Sequence, residues 1–189
     1  MHHYLGLEVW QKPSEVILGQ GKYVIDILQK FGTMECKSMA TPMVPNLKKL
    51  RGFESSLVGP SMYLQLNGSL MYLVNTKMDI CFVVNTLSQF HVEPRHEHWI
   101  VAKHILRYLC GTANYGLRFV ANEDVQLSGC TYVDWPRSVE DRKSSSRVCF
   151  SLGSAMISWM SRKKRLIALS TVEAEYIAAN EACTEAIWL

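Results

Sequence analysis

Gly129-Cys130-Thr131-Tyr132-Val133-Asp134-Trp135 and, further on, Ser170-Thr171-Val172-Glu173-Ala174-Glu175-Tyr176 are the stretches on which the fold turns. The first lies in a run from Val125 to Trp135 with the β-branched and aromatic content of a strand. The second opens a helix that runs to Leu189. Ser170 and Glu173 supply the S-x-x-E spacing of a capping box. Between them, Arg147 to Leu152 and Ala155 to Met160 read as strands joined by a tight turn at Gly153-Ser154, and Leu166 to Leu169 extends the last one. Strand-like segments followed by a helix predict a mixed α/β (α+β) arrangement.

Upstream, Gly116 to Val120 reads as a further strand. His2 to Trp10 and Glu15 to Leu18 read as two more, joined by a turn through Lys12-Pro13-Ser14. Gly21 to Phe31 follows as an amphipathic helix. Tyr23, Ile27, Leu28 and Phe31 share its apolar face, and Gly32 suits the cap after it. Residues 33–60 are rich in proline, with scattered Lys and Ser, and read as a linker. Three helices are predicted next, over Ser61 to Val74, Asp79 to Phe90 and Arg95 to Leu109. Asp79 is expected to cap the second. Trp99, Ala102, Ile105, Leu106 and Leu109 form the stripe of the third, and Gly111 is expected to end it.

The 189 residues suit one domain or two small ones, and 48% apolar with 20% charged residues fits a globular class. A formal charge of +3 is too weak to argue for nucleic acid by itself. The six cysteines include no C-x-x-C pair, so zinc spacing is absent. Cys81, Cys130 and Cys149 lie in apolar runs and are expected to be buried free thiols. The most apolar stretch, Leu70 to Phe90, is broken by Lys77 and Asp79, so no membrane span is expected. Met1-His2-His3-Tyr4 does not open a signal segment, and the expected location is intracellular, cytoplasmic or nuclear.

Ordered blocks along the chain resemble one family. His3-Tyr4-Leu5-Gly6-Leu7-Glu8-Val9, Gln20-Gly21-Lys22-Tyr23, Ala40-Thr41-Pro42-Met43, Gly68-Ser69-Leu70-Met71-Tyr72-Leu73, His98-Trp99 and Ile105-Leu106-Arg107-Tyr108-Leu109 resemble the tail of a copia-like retrotransposon reverse transcriptase. Asp141-Arg142-Lys143-Ser144, Ile157-Ser158-Trp159 and Glu173-Ala174-Glu175-Tyr176 resemble the ribonuclease H domain of the same Pol polyprotein. The resemblance implies a palm and thumb tail over 1–32, the linker over 33–60, a helical connection over 61–112 and a truncated ribonuclease H-like domain over 113–189, the last a three-stranded antiparallel sheet with one helix. It also implies a parental activity of RNA-directed DNA synthesis with cleavage of hybrid RNA.

Ribonuclease H chemistry clusters carboxylates around two divalent ions, one activating water and the other steadying the leaving oxygen. In the parental family the ion is Mg2+, which takes oxygen ligands. By resemblance Glu175 matches the helix glutamate. The strand aspartate falls at Tyr132, whose phenol is neutral at pH 7. Pro136 and Arg137 replace the small residues after the strand, and the family's further carboxylates would follow Leu189. Asp134 faces the same way as residue 132 but lies about 6.6 Å along the strand. The chain is therefore expected to be catalytically inactive, with Glu175 and Asp134 as vestigial site residues and no cofactor retained. No Asp-Asp pair of the polymerase site occurs in the chain.

Arg162-Lys163-Lys164-Arg165 reads either as a contact to the phosphates of an RNA–DNA hybrid or as a solvated turn. Lys48, Lys49 and Arg51 add basic charge in the linker. His91, His96 and His98 are expected to be structural or solvent-facing, because no Cys or further ligand completes a tetrahedral set. Trp135 and Trp159 are expected in the core, and Trp188 is expected to be exposed. The primary reading is an inactive fragment of the Pol polyprotein. The alternatives are a retained RNA- or DNA-binding module, a repurposed protein-interaction fragment, and a residual metal-dependent ribonuclease H.

Overall fold

The computed structural model describes residues 2–43, 55–121, 125–134, 145–163 and 170–189, with the backbone alone at Asp134. The fold is mixed α/β. Seven strands form two antiparallel sheets, accompanied by five α-helices among the described residues. The strands are β1 (His2–Tyr4), β2 (Leu7–Lys12), β3 (Glu15–Gly19), β4 (Leu117–Val120), β5 (Leu127–Asp134), β6 (Ser145–Leu152) and β7 (Ala155–Lys163). The helices are α1 (Gly21–Lys30), α2 (Pro60–Leu73), α3 (Cys81–Ser88), α4 (His96–Thr112) and α5 (Thr171–Trp188). One sheet has the order β1-β2-β3-β4 and the other β5-β6-β7. The chain divides into two compact units, the first holding residues 1–12 and 16–117, the second 13–15 and 118–189.

In the first unit, the expected single strand His2 to Trp10 is a hairpin instead. Leu5 and Gly6 both take positive φ, 48° and 75°, and β1 folds back on β2 with Tyr4 opposite Leu7. Two left-handed central residues suit the twist of a two-residue hairpin turn, and Gly6 takes its share at no steric cost. The core of this unit is helical. Val24, Ile27 and Leu28 of α1 pack with Tyr63, Leu66, Leu70 and Leu73 of α2 and with Leu87 of α3. Ala102, Ile105, Leu106 and Leu109 of α4 complete the cluster. Tyr63 donates its hydroxyl to the Leu87 carbonyl at 2.8 Å, which satisfies the one polar atom that its burial would strand.

Gly111 does not end α4, which continues to Thr112. A Cβ on Gly111 would stand 3.0 Å from the Ser38 Cβ, so the glycine marks a close approach of chain segments. Residues 34–41 run along α4. Met39 N–H reaches the Arg107 carbonyl, Arg107 Nε donates to the Lys37 carbonyl at 2.9 Å, and His104 meets the Thr41 carbonyl. The open end of α4 is closed by Lys77, whose Nζ donates to the carbonyls of Thr112 at 2.7 Å and Tyr115 at 3.1 Å. A cation at a helix C-terminus satisfies orphan carbonyls and the helix dipole together. Asp79 is not the N-cap of α3. It accepts from Ile80 N–H and from the Tyr108 hydroxyl, tying the start of α3 to α4. On β2, Glu8 is buried and its carboxylate accepts from Lys22 N–H in the first turn of α1.

Of His91, His96 and His98, the first and last are structural and His96 is exposed. His98 is buried and stacked on Phe90, with ring centroids 3.8 Å apart, and its Nδ1 accepts from Arg95 N–H at the start of α4. His91 lies 2.6 Å from the Asn67 amide and edge-on to Tyr63, and burial lowers its pKa. Among the described residues no helix is long and apolar enough to cross a membrane.

Candidate functional site

The second unit is built on β6. Its alternation is regular, with Ser146, Val148 and Phe150 buried and their neighbours half-buried. Period-two alternation puts the buried set on one face, and α5 packs there. Ala174 and Ala178 are the fully buried positions of α5. Two further inward positions of α5 are glutamates, each met by a serine. Ser146 Oγ donates to Glu181 at 3.1 Å, and Ser158 Oγ of β7 donates to Glu185 at 2.8 Å. Ser170 caps α5, its Oγ accepting from Glu173 N–H at 3.1 Å, as the S-x-x-E spacing predicts.

The register fixes what surrounds the expected acidic site. Tyr132 stands opposite Arg147, which stands opposite Ser161. Asp134 stands opposite Ser145, and Ser145 opposite Lys163. Tyr132 is 59% exposed, and the Arg147 guanidinium lies 5.6 Å from the centre of its ring, within cation–π range. Glu175 is exposed on α5. Among the described residues no three His, Cys, Asp or Glu side chains converge on a common point.

The basic run does not begin as a turn. β7 continues past Met160, so Arg162 and Lys163 are strand residues opposite Ser146 and Ser145. Arg162 is exposed. Lys164, Arg165, Leu166 to Leu169, Trp135, Pro136, Arg137 and the 141–144 block lie outside the described residues, as do Lys48, Lys49 and Arg51. Trp159 is half-buried, opposite Cys149, and so does not belong to the core as expected. Trp188 is 84% exposed.

The cysteines also depart from expectation. Cys81 is buried, but Cys149 is half-buried and Cys130 exposed. Both lie off the α5 face, because they alternate with Val148 and Phe150 and with their cross-strand partners. Arg147 and the Ser–Glu pairs could not be found from local sequence.

No protein-family model matches the chain, and no solved structure matches it. The retrovirus-related Pol polyprotein from transposon RE1 of Arabidopsis thaliana is 34% identical over 189 residues, covering 100% of this chain and 13% of that protein. The corresponding polyprotein from transposon TNT 1-94 of Nicotiana tabacum is 38% identical over 98% of this chain and 14% of its own length. Secreted RxLR effector protein 161 of Plasmopara viticola is 44% identical over 128 residues, 67% of this chain and 90% of that protein. The chain thus spans about an eighth of the transposon polyproteins that it matches from end to end. It belongs to the copia-like retrotransposon Pol family.

Proposed function

We propose that residues 113–189 are the ribonuclease H-like part of such a polyprotein, preceded by a reverse transcriptase tail (1–32), a linker (33–60) and a helical connection (61–112), and that the chain is catalytically silent. The observation that carries this reading is the Tyr132–Arg147 pair. A hard divalent ion needs anionic oxygens. At the position that the family fills with aspartate stands an exposed phenol with a guanidinium over its ring. A phenol beside a fixed positive charge does not fit Mg2+. The test is cleavage of a labelled RNA–DNA hybrid by the folded chain, in magnesium and then manganese, beside a Glu175→Gln control. No cleavage is expected. Metal-dependent cleavage that the control loses would overturn the reading and point to a rearranged site using Asp134.

A second reading is favoured by the same charges. Arg147, exposed Arg162 and Lys163 lie at one end of β6 and β7, and Lys164 and Arg165 follow directly in sequence. Such an end suits the phosphates of an RNA–DNA hybrid or a single strand. Each phosphate neutralised adds about 0.7–0.9 to the slope of log affinity against log salt. Replacing all four residues of the 162–165 run by Ala should flatten that slope. Unchanged binding would exclude the run as the contact. The third reading, a repurposed protein-interaction fragment, is tested by a proteome-wide binding screen with the full chain.

A further inference from the structure

We propose that Cys130 and Cys149 form a reversible dithiol–disulfide site on the face of the β5-β6-β7 sheet away from α5. The two residues stand directly opposite in the antiparallel register. Opposed residues in such a pair have Cα atoms about 4.5 or 5.5 Å apart, according to pair type, and both values fall inside the roughly 4.4–6.8 Å window of disulfides. Their Cβ atoms, at about 4.5–5.5 Å, need only a small approach to reach the roughly 3.5–4.5 Å of a bridge. Exposure of Cys130 gives a reagent access, and half-burial of Cys149 shields the partner.

The chemistry is thiol–disulfide exchange with a low-molecular-weight disulfide as oxidant. Cys130, the exposed thiol, is the attacking group, while burial, with the neighbouring thiol adding to it, pushes the Cys149 thiol up. The Cys130 thiolate attacks one sulfur of the oxidant, forming a mixed disulfide and releasing one small thiolate. Cys149, losing its proton to solvent, then displaces the second. Two protein S–H bonds are replaced by one S–S bond, and the small disulfide is reduced to two thiols. The bridge locks β5, the strand carrying Tyr132 and Asp134, to β6 two residues from the Tyr132–Arg147 pair.

The experiment equilibrates the full chain in reduced and oxidised glutathione mixtures, traps free thiols with a maleimide and maps the disulfides by peptide mass. The expected product joins the Cys130 and Cys149 peptides, both lose maleimide reactivity together, and the thermal midpoint rises. Exposed Cys183 should instead carry only a mixed disulfide. Cys130→Ser should abolish the bridge and leave Cys149 free, and Cys130→Ala serves if the Ser variant misfolds. Cys130 and Cys149 each capped separately by glutathione, either one joined to Cys183, or Cys149 still alkylatable in the oxidised mixture would each overturn the proposal.

Discussion

Gly129→Ala tests whether the β5–β6 register is right. Gly129 stands opposite Phe150, and a Cβ built on it would lie 2.3 Å from Phe150 Cε1 and 2.7 Å from Cδ1. Phe150 is 5% exposed and lies under α5, so its ring cannot swing into solvent. Forcing the ring aside is an overpacking change costing about 1–3 kcal/mol. Against this, replacing glycine restricts the unfolded chain and returns about 0.4–1 kcal/mol. The net expectation is a loss of about 1–2 kcal/mol, read as easier exposure of the half-buried Cys149 thiol to maleimide across a urea series. Phe150→Leu removes the offending ring edge. The double variant should therefore be more stable than the two single effects sum to, by about 1 kcal/mol. A Gly129→Ala chain at least as stable as the parent, or a coupling of zero, would refute the placement of Phe150 over the glycine.

Lys77→Met strands the carbonyls of Thr112 and Tyr115 and should cost about 1–3 kcal/mol in thermal or urea unfolding. Burial lowers the Lys77 pKa, with Asp79 opposing. Below 10.5 there is thus a window where the unfolded chain holds a proton that the fold gives up, and stability there should rise with pH in the parent but not in Lys77→Met. His91, also lowered by burial, gives the same sign at acid pH. As pH falls below about 6.5 the unfolded chain takes up a proton that the fold resists, stability falls, and His91→Phe should flatten that part of the profile. Ser158→Ala removes the donor to Glu185 and should lower the urea midpoint by the equivalent of about 1 kcal/mol, whereas Glu173→Ala, on the exposed side of α5, should cost less.

The helices of the first unit were legible because their cores repeat with helical period, as the stripe from Trp99 to Leu109 shows. The Ser170 cap was legible for the same local reason. Three features were not, and each depends on a distant partner. Gly111 carries the signature of a stop, yet its role is to let Ser38 approach. Lys77 and Asp79 looked like interruptions of an apolar run, and they are the groups that close α4 and hold α3 to it. At the candidate site, the sequence located Tyr132, Glu175 and the basic run. It did not disclose that Arg147 covers the phenol, since strand pairing brings them together across a long connection.

The seat of α5 has a consequence for how the second unit comes apart. A helix held by Leu and Phe side chains leaves its sheet only when the whole core opens. This one rests on Ala174 and Ala178, with one Ser–Glu hydrogen bond to the middle strand β6 and one to β7, and it buries little apolar surface. Water can replace serine–carboxylate bonds at small net cost, whereas it cannot replace hydrocarbon contact. Lifting α5 away is therefore the low-energy subglobal opening of this unit, and it would uncover Val148 and Phe150 while β6 stays paired on both edges. Limited proteolysis should nick α5 well before β6, and the partly opened chain, with an apolar sheet face bared, is the species from which aggregation would start.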